Sequence, residues 1–190
     1  ARWSNEDPVT AHDFEYSYRR MLNPDLAAQY GYMLHVFNNA QLYNEGRKCA
    51  GKGLWLLPKK GEPGEAHVAH LAEWMKLDTA GRVQALKSLR PDEEGQVATC
   101  PFCKQKLQPL NWDDWERAKV GVKAEDDRTL VLTLENPTPY FLNILTHYST
   151  WPVHPKTVEK HGGMTSRNNQ WTRLENFVGN GPFKLDSWEI

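Results

Sequence analysis

The sequence lacks both a surplus of charge of one sign and any long apolar run. Its 23 Lys and Arg residues oppose 24 Asp and Glu residues, so the formal net charge is −1. Without a basic excess to neutralise phosphates, nucleic acid is a poor candidate partner. The longest apolar runs, such as residues 53–57, are far shorter than the ~18 residues that a membrane span needs. We therefore expect no membrane span in this chain.

A secretion signal is also missing, and cysteine is scarce. No apolar stretch follows the first residues, so the chain is expected to be either cytosolic or a piece of a longer exported protein. The three cysteines are an odd number, which leaves one unpaired in a simple disulfide framework. Aromatic residues are plentiful instead, because the 190 residues include 8 Trp, 7 Tyr and 6 Phe for packing and ligand contact.

The first 47 residues have the pattern of helices that follow a short extended start. Thr10 can cap the first helix, and Asp13 stands at the acidic position of a capping box. We therefore interpret Asp13 as a structural residue and not as a catalytic acid. Pro24 ends this helix, because proline restricts the residue before it, and a second helix is predicted to stop at Gly46. The two apolar stripes consist of Phe14, Tyr18, Met21 and Leu22, and of Leu26, Tyr30, Met33, Leu34 and Phe37.

The last third of the chain changes from a helical to an alternating apolar period. Residues 120–124 and 129–134 alternate on either side of an acidic turn, which predicts a β-hairpin. A short helix is predicted after the prolines of residues 137–139, and a strand is predicted to begin at Phe183.

Residues 48–114 differ in amino-acid composition from the parts of the chain on either side. They open with a sequence rich in glycine and proline, contain a candidate helix over 65–89, and hold all three cysteines. We interpret this segment as an insertion into a surrounding domain. The predicted organisation is therefore 1–47, then the insertion 48–114, then 115–190.

Two long stretches on either side of that segment carry a family resemblance. Residues 3–20 read WSNEDPVTAHDFEYSYRR, similar to the pattern W-S-[DN]-G-x-P-V-T-A-x-D-F-x-Y-S-[WY]-x-R. Residues 121–141 contain GVKAEDDRTL and LENPTPYF, similar to G-V-K-A-x-D-D-x-T-L and L-x-x-P-x-P-Y-F. Both stretches resemble the oligopeptide-binding proteins of ABC importers, which are extracellular solute-binding proteins of family 5. One departure is Glu6, where the family has glycine, and it implies a different turn before the first helix.

The resemblance implies an α+β fold, in which helices accompany a small mixed or antiparallel sheet. This would be part of a periplasmic-binding-protein type II-like fold that carries the inserted, cysteine-containing segment. Residues 1–47 and 115–190 would form the accessory lobe, with the β-hairpin and a C-terminal strand in the second part. Family members are much longer and close two lobes over a peptide, so a second ligand-binding lobe would be absent from this chain.

In function, the resemblance implies a periplasmic or otherwise extracytoplasmic receptor and not an enzyme. Such a receptor binds an oligopeptide and presents its closed form to the permease of an ABC importer. The accessory lobe of the family contributes a tyrosine to the cleft, and this position aligns best with Tyr30. The alternative is that Tyr30 only packs within the apolar stripe. For Trp151, Trp171 and Trp188 we favour packing in the lobe core over exposure toward a missing lobe.

The cysteines suggest a metal site. Cys100 and Cys103 have the C-x₂-C spacing of a zinc knuckle, Cys49 could be a third ligand, and His67 or His70 could be the fourth. We favour a structural zinc ion over a disulfide, free thiols or a redox pair, all of which stay open. The ion would stabilise a segment too small to hold a core alone.

Catalytic signatures are absent from the sequence. It contains no phosphate-binding glycine loop, no G-x-S-x-G nucleophile elbow and no H-E-x-x-H zinc motif. The alternative to a solute-binding protein is a stand-alone protein-interaction module, built around an insertion that a zinc ion stabilises. An exposed apolar face on the 65–89 helix would favour that alternative.

Overall fold

The chain forms two compact units in the computed structural model, which describes residues 1–49, 53–55, 73, 75–88, 99–102, 104, 106–110 and 112–187. The split unit comprises Ala1–Ala40 and Lys119–Ile190, and the middle unit comprises Gln41–Ala118. The middle unit is continuous in sequence and separates the two parts of the split unit. Its bounds lie near the predicted segment 48–114, while the insertion itself stays a prediction.

The elements of both units are short. In chain order they are α1 (Ala11–Leu22), a 3₁₀ helix (Gly31–Val36), α2 (Ala40–Glu45), β1 (Arg47–Cys49), β2 (Gly53–Trp55), α3 (Thr79–Ser88), β3 (Gln108–Pro109), a 3₁₀ helix (Trp112–Asp114), α4 (Trp115–Ala118), β4 (Val122–Ala124), β5 (Leu130–Leu132), α5 (Phe141–Ile144), a 3₁₀ helix (Tyr148–Thr150), α6 (Pro155–Lys160) and a 3₁₀ helix (Gln170–Thr172). No helix in the described ranges is long and apolar enough to cross a membrane.

Helix α1 begins as its capping sequence predicts. The Asp13 carboxylate accepts the backbone N–H of Thr10 at 2.8 Å and the indole N–H of Trp3 at 3.0 Å. The predicted capping role of Asp13 is therefore confirmed. On the predicted face, Tyr18 is 3% exposed and Leu22 is fully buried, because this side of α1 forms the core of the split unit.

The predicted hairpin is present and packs beside α1. Strands β4 and β5 pair antiparallel, with Val122 opposite Leu132 and Ala124 opposite Leu130. The carboxylate of Glu15 on α1 accepts the backbone N–H of Ala124 at 2.7 Å, which ties the helix to the hairpin.

A third segment, residues 36–38, extends the edge of the hairpin. The Asn38 N–H donates to the Thr133 carbonyl at 2.9 Å, and the Gly121 N–H donates to the Asn38 carbonyl at 2.8 Å. Next to it, the Asn39 side-chain amide donates to the Lys119 carbonyl at 3.3 Å. The two points at which the middle unit interrupts the split unit therefore lie close together.

The second predicted helix is not formed as one α-helix. Turns occupy residues 24–27 and 29–30, and Ala27 adopts a left-handed backbone with φ of 49°. The helical residues that follow form a 3₁₀ helix, Gly31–Val36, and then α2, which ends just before the predicted stop at Gly46. Phe37 then forms a β-bridge with Leu134, so pairing with the distant hairpin overrides the local helical period. The apolar side chains of the stripe are still used, because Leu34 and Phe37 are at most 1% exposed.

The middle unit contains a three-stranded antiparallel sheet in the order β2-β1-β3, which the sequence did not predict. Its described core includes Tyr43 and Trp115, whose rings meet edge to face at 5.0 Å. Of the predicted 65–89 helix, α3 forms the later part, and residues 65–72 lie outside the described residues.

The predicted C-terminal strand does not form. Residues 181–187 contain no strand, and the Phe183 side chain is 89% exposed. A strand needs a partner to satisfy its backbone hydrogen bonds, and the described residues offer none to this segment.

Candidate ligand-binding site

A concave surface on the split unit gathers several aromatic rings. We call it the aromatic pocket, and its volume is about 510 Å³. Of the residues that line the pocket, Met33 belongs to the first 3₁₀ helix. The others belong to one stretch of chain, which includes α5 and the 3₁₀ helix that follows it. The lining residues are Met33, Tyr140, Asn143, Ile144, Thr146, His147, Tyr148 and Trp151.

Three of these rings are largely open to solvent. Tyr140 is 60% exposed, Tyr148 is 58% exposed and Trp151 is 61% exposed. The prediction that Trp151 packs in the lobe core is therefore wrong for this unit. Trp171 is half-buried and stacks on Phe177 with ring centroids 6.3 Å apart, and Trp188 lies outside the described residues.

Tyr30 stands directly beside the aromatic pocket. It is half-buried at the start of the Gly31–Val36 helix, so it is neither a stripe residue of an α-helix nor part of the closed core. Its ring centroid lies 5.2 Å from that of His147 and 5.9 Å from that of Tyr148, the latter edge to face. A side-chain hydrogen bond with Tyr30 is the main cause that raises the pKa of Tyr148 above its ordinary value. The structure thus joins Tyr30 to the pocket wall.

A short polar chain lies behind the rings. His147 Nδ1 is 2.7 Å from Ser149 Oγ, and Ser149 Oγ is 3.7 Å from the Met33 sulfur. The Ser149 backbone N–H also points to His147 Nδ1 at 3.3 Å. The Ser149 side chain therefore lies between the imidazole and the thioether. No spacing pattern predicts this group, since Met33 and Ser149 lie 116 positions apart in the chain.

A second cluster of polar side chains attaches the N-terminal segment to α6. The Asp7 carboxylate lies 3.0 Å from His154 Nε2 and 3.2 Å from Lys156 Nζ, and His154 Nδ1 lies 2.7 Å from Thr157 Oγ1. An ionised carboxylate can only accept, so His154 donates through Nε2 and accepts the Thr157 hydroxyl proton when neutral. The hydrogen bond from Lys156 is the largest of the causes that lower the pKa of Asp7.

This second cluster is structural in its geometry. His154 is 4% exposed and its ring meets the Trp3 indole edge to face at 5.2 Å. A surface pocket of about 360 Å³ lies beside the cluster and includes both Asp7 and Asp13. Both carboxylates accept hydrogen bonds from donors within the protein, which hold the N-terminal segment in place.

The turn before α1 contains the departure from the family pattern. Glu6 adopts a left-handed backbone with φ of 70°, the region that glycine favours and other residues enter at a cost. The conformation suited to the family glycine is therefore formed here by a side-chain-bearing residue.

The predicted zinc ligands fall mostly outside what the structure describes. Cys103, His67 and His70 lie outside the described residues, and Cys49 is described only as a backbone position in β1. Cys100 is a buried free thiol, and among the described residues no group of three potential ligands could hold a metal. The Lys104 N–H donates to the Cys100 carbonyl at 3.0 Å, so a tight turn begins at Cys100.

Comparison with known proteins identifies the family. Residues 1–190 match the family described as bacterial extracellular solute-binding proteins, family 5 (middle). The chain belongs to this family. The resemblance found in the sequence is thereby confirmed.

Named relatives of this family 5 protein are binding proteins. It is 28% identical to the oligopeptide-binding protein OppA of Bacillus subtilis over 99% of this chain and 21% of that protein. It is 30% identical to the dipeptide-binding protein DppE of the same organism, over 100% of this chain and 21% of the relative. It is 44% identical to the probable deoxycholate-binding periplasmic protein YgiS of Escherichia coli over 71 residues. These residues are 37% of this chain and 12% of the relative.

Solved structures show the same fold. The crystal structure of Haemophilus influenzae OppA in complex with RPPGFSPFR matches with a TM-score of 0.57 at 28% identity, over 100% of this chain and 23% of that chain. The OppA type of periplasmic-binding-protein fold is therefore confirmed, with helices and small antiparallel sheets. The match to the family includes residues 48–114, so the comparisons give no support to an insertion there. This family 5 chain spans about a fifth of the length of the relatives it matches.

Proposed function

We propose that this chain is part of an extracytoplasmic solute-binding protein that binds oligopeptides and delivers them to the permease of an ABC importer, without catalysing a reaction. Membership of family 5 supports the binding role. Several relatives are periplasmic oligopeptide-binding proteins by name, such as those of Haemophilus influenzae and Escherichia coli, which supports the cargo class and the compartment.

The aromatic pocket indicates where the cargo binds. Ligand sites are concave, mostly apolar and of this order of size. Exposure of apolar ring surface to water is unfavourable in free energy, and the rings of Tyr140, Tyr148 and Trp151 are exposed around the pocket. Contact with a ligand would remove this surface from water. The adjacent, half-buried Tyr30 would contact the cargo at the border of the pocket and hold Tyr148 in place through their hydrogen bond.

Peptide binding to the natural full-length protein tests this proposal. We expect Tyr30→Ala to weaken the binding of a short peptide measured by calorimetry by about tenfold, which is about 1.4 kcal/mol. Tyr30→Phe keeps the ring and should lose less. Val131→Ala, on β5 at a position 39% exposed and outside the pocket, is the matched control.

Two results would count against the proposal in different ways. If the wild-type protein binds no peptide, the function is wrong. If it binds peptides and Tyr30→Ala leaves the affinity unchanged, the function stands and the role of Tyr30 is wrong. Loss of peptide uptake in cells that lack the gene would support the link to an importer.

A second cargo class follows from one comparison. The relative YgiS is described as a probable deoxycholate-binding protein, and it shares 44% identity over 71 residues. A steroid ring system is apolar, as is most of the lining of the aromatic pocket. Deoxycholate is therefore the first non-peptide ligand to titrate, and binding of deoxycholate in preference to every peptide would replace the oligopeptide in this proposal.

We also propose, separately, that Cys49, Cys100 and Cys103 hold a structural zinc ion. The tight turn that begins at Cys100 supports this, because two sulfurs of a C-x₂-C sequence reach one ion only from such a turn. Metal analysis of the purified protein should find near-stoichiometric zinc, and Cys100→Ser should remove it. A metal-free protein whose mass shows a disulfide would refute the zinc site.

A further inference from the structure

We propose that the aromatic pocket takes an uncharged apolar side chain of the cargo, an aromatic ring above all, and rejects charged side chains. This inference rests on the proposed function and adds the chemical class of the group that the pocket accepts. It concerns selectivity within the cargo, so it can fail while peptide binding itself is confirmed.

The lining of the pocket is the first argument. Its eight residues include no Asp, Glu, Lys or Arg. A charged side chain that packs against these residues would lose part of its hydration and meet no opposite charge, which is unfavourable. The polar groups present are the amide of Asn143, the hydroxyls of Thr146, Tyr140 and Tyr148, the imidazole of His147 and the indole N–H of Trp151. These can pair with neutral polar atoms, and no acidic or basic side chain among them balances the charge of an ammonium or a carboxylate.

The exposure of the walls is the second argument. Tyr140, Tyr148 and Trp151 each keep more than half of their surface in water. Rings attract one another in edge-to-face or offset arrangements beyond the effect of buried area. The protein's own contacts near the pocket follow this rule, since the Tyr30 and Tyr148 rings meet at 82°. A ring from the cargo would extend the same packing.

The floor of the pocket is the third argument. Met33 is an adaptable, polarizable side chain that contacts aromatic rings favourably. Here its sulfur lies 3.7 Å from Ser149 Oγ, which in turn lies 2.7 Å from His147 Nδ1. Met33 is thus in contact with a side chain that is hydrogen-bonded to His147, and a volume of about 510 Å³ leaves room for a whole aromatic side chain.

A substitution that introduces a charge into the pocket is the most direct test of this selectivity. Asn143 is exposed on α5, and Asn143→Asp introduces a carboxylate with almost no change in shape. The probes are tetra-alanine and its derivatives with Phe, Lys or Glu at each position in turn. Binding to the natural full-length protein is measured by calorimetry at pH 8. Asn168→Asp, on an exposed residue outside the pocket, is the matched control.

We expect the best Phe peptide to bind the wild-type protein about tenfold more tightly than tetra-alanine, with Lys and Glu peptides no better than tetra-alanine. Trp151→Ala should reduce the preference for Phe. Asn143→Asp should tighten the binding of Lys peptides and weaken that of Glu peptides by about fivefold or more, while Asn168→Asp changes neither.

The failures of the two proposals are distinguishable. If peptides bind with no preference for Phe, or if Asn143→Asp leaves the Lys and Glu peptides unchanged, this inference is overturned and peptide binding stands. If no peptide binds, the proposed peptide function is overturned as well. Binding of deoxycholate that Trp151→Ala weakens would assign the pocket to a steroid and overturn the side-chain assignment. Circular dichroism identifies a misfolded Trp151→Ala, and the isosteric Asn143→Asp keeps the test decisive in that case.

Discussion

Phe37 links the core of the split unit to the helix that supports the aromatic pocket. It is 1% exposed, and its ring lies 5.6 Å from that of Tyr18 on α1 and 5.9 Å from that of Phe141 on α5. Removal of a buried phenyl ring costs about 3–5 kcal/mol, through the lost burial and the cavity that remains. We therefore expect Phe37→Ala to lower the melting temperature of this unit by roughly 10–20 °C.

The same substitution at an exposed ring is the control for Phe37→Ala. Phe183 is 89% exposed, so Phe183→Ala should change stability by no more than about 0.5 kcal/mol. Urea unfolding gives the stability, and hydrogen exchange of the α1 and β4 amides shows whether the loss falls in the split unit. Equal stability of the two variants, or an unchanged exchange rate in α1, would refute the assignment of Phe37 to the core.

Two further predictions concern the N-terminal segment and the edge of the hairpin. Because the pKa of Asp7 is lowered by Lys156, its charged form stabilises the fold above its usual pKa of 3.8, and this contribution is lost as the pH falls through the lower folded value. Asp7→Asn should therefore lose less stability than the wild type on acidification from about pH 5 to about pH 2, and equal losses in urea midpoints would contradict this. A methyl group at Gly121 would press on the backbone of Thr133, so Gly121→Ala should cost about 1–3 kcal/mol. Gly181→Ala, which has open space around it, should be neutral, and a similar loss in both variants would refute the argument from close approach.

Elements defined by local chemistry were predictable from the sequence. The first helix follows from the Thr10 and Asp13 cap and from its apolar stripe, and the hairpin follows from alternation around an acidic turn. In that turn the Asp126 carboxylate accepts two backbone N–H groups at 2.7 and 2.8 Å, which is the local role expected of an acid there.

Features that depend on distant partners were not predictable. The stripe from Leu26 to Phe37 has helical spacing, but pairing of Phe37 with Leu134 determines its path. The exposure of Trp151 depends on what packs around it, which no local pattern reveals. Likewise, the contact of Asp7 with His154 joins residues 147 positions apart, and neither motif indicates the other.

Of the residues at the candidate site, the sequence predicts a ligand-binding role for Tyr30 alone. Tyr30 was proposed from the family resemblance alone, and it lies beside the aromatic pocket, while its contact with cargo stays a prediction. His147 has no regular spacing to His154 or His161, so the sequence pattern does not single it out. Its ring lies 4.3 Å from the ring of Tyr148, a contact between neighbours in the chain that periodicity does not reveal.

A hydrogen bond from the Asn39 side chain to the Lys119 carbonyl joins the two ends of the split unit at the point where the middle unit departs and returns. Both residues belong to the split unit, so this bond needs no residue of the middle unit. A deletion that joins Ala40 directly to Lys119 would therefore leave a short gap to close, and α1 and the hairpin would keep their connections.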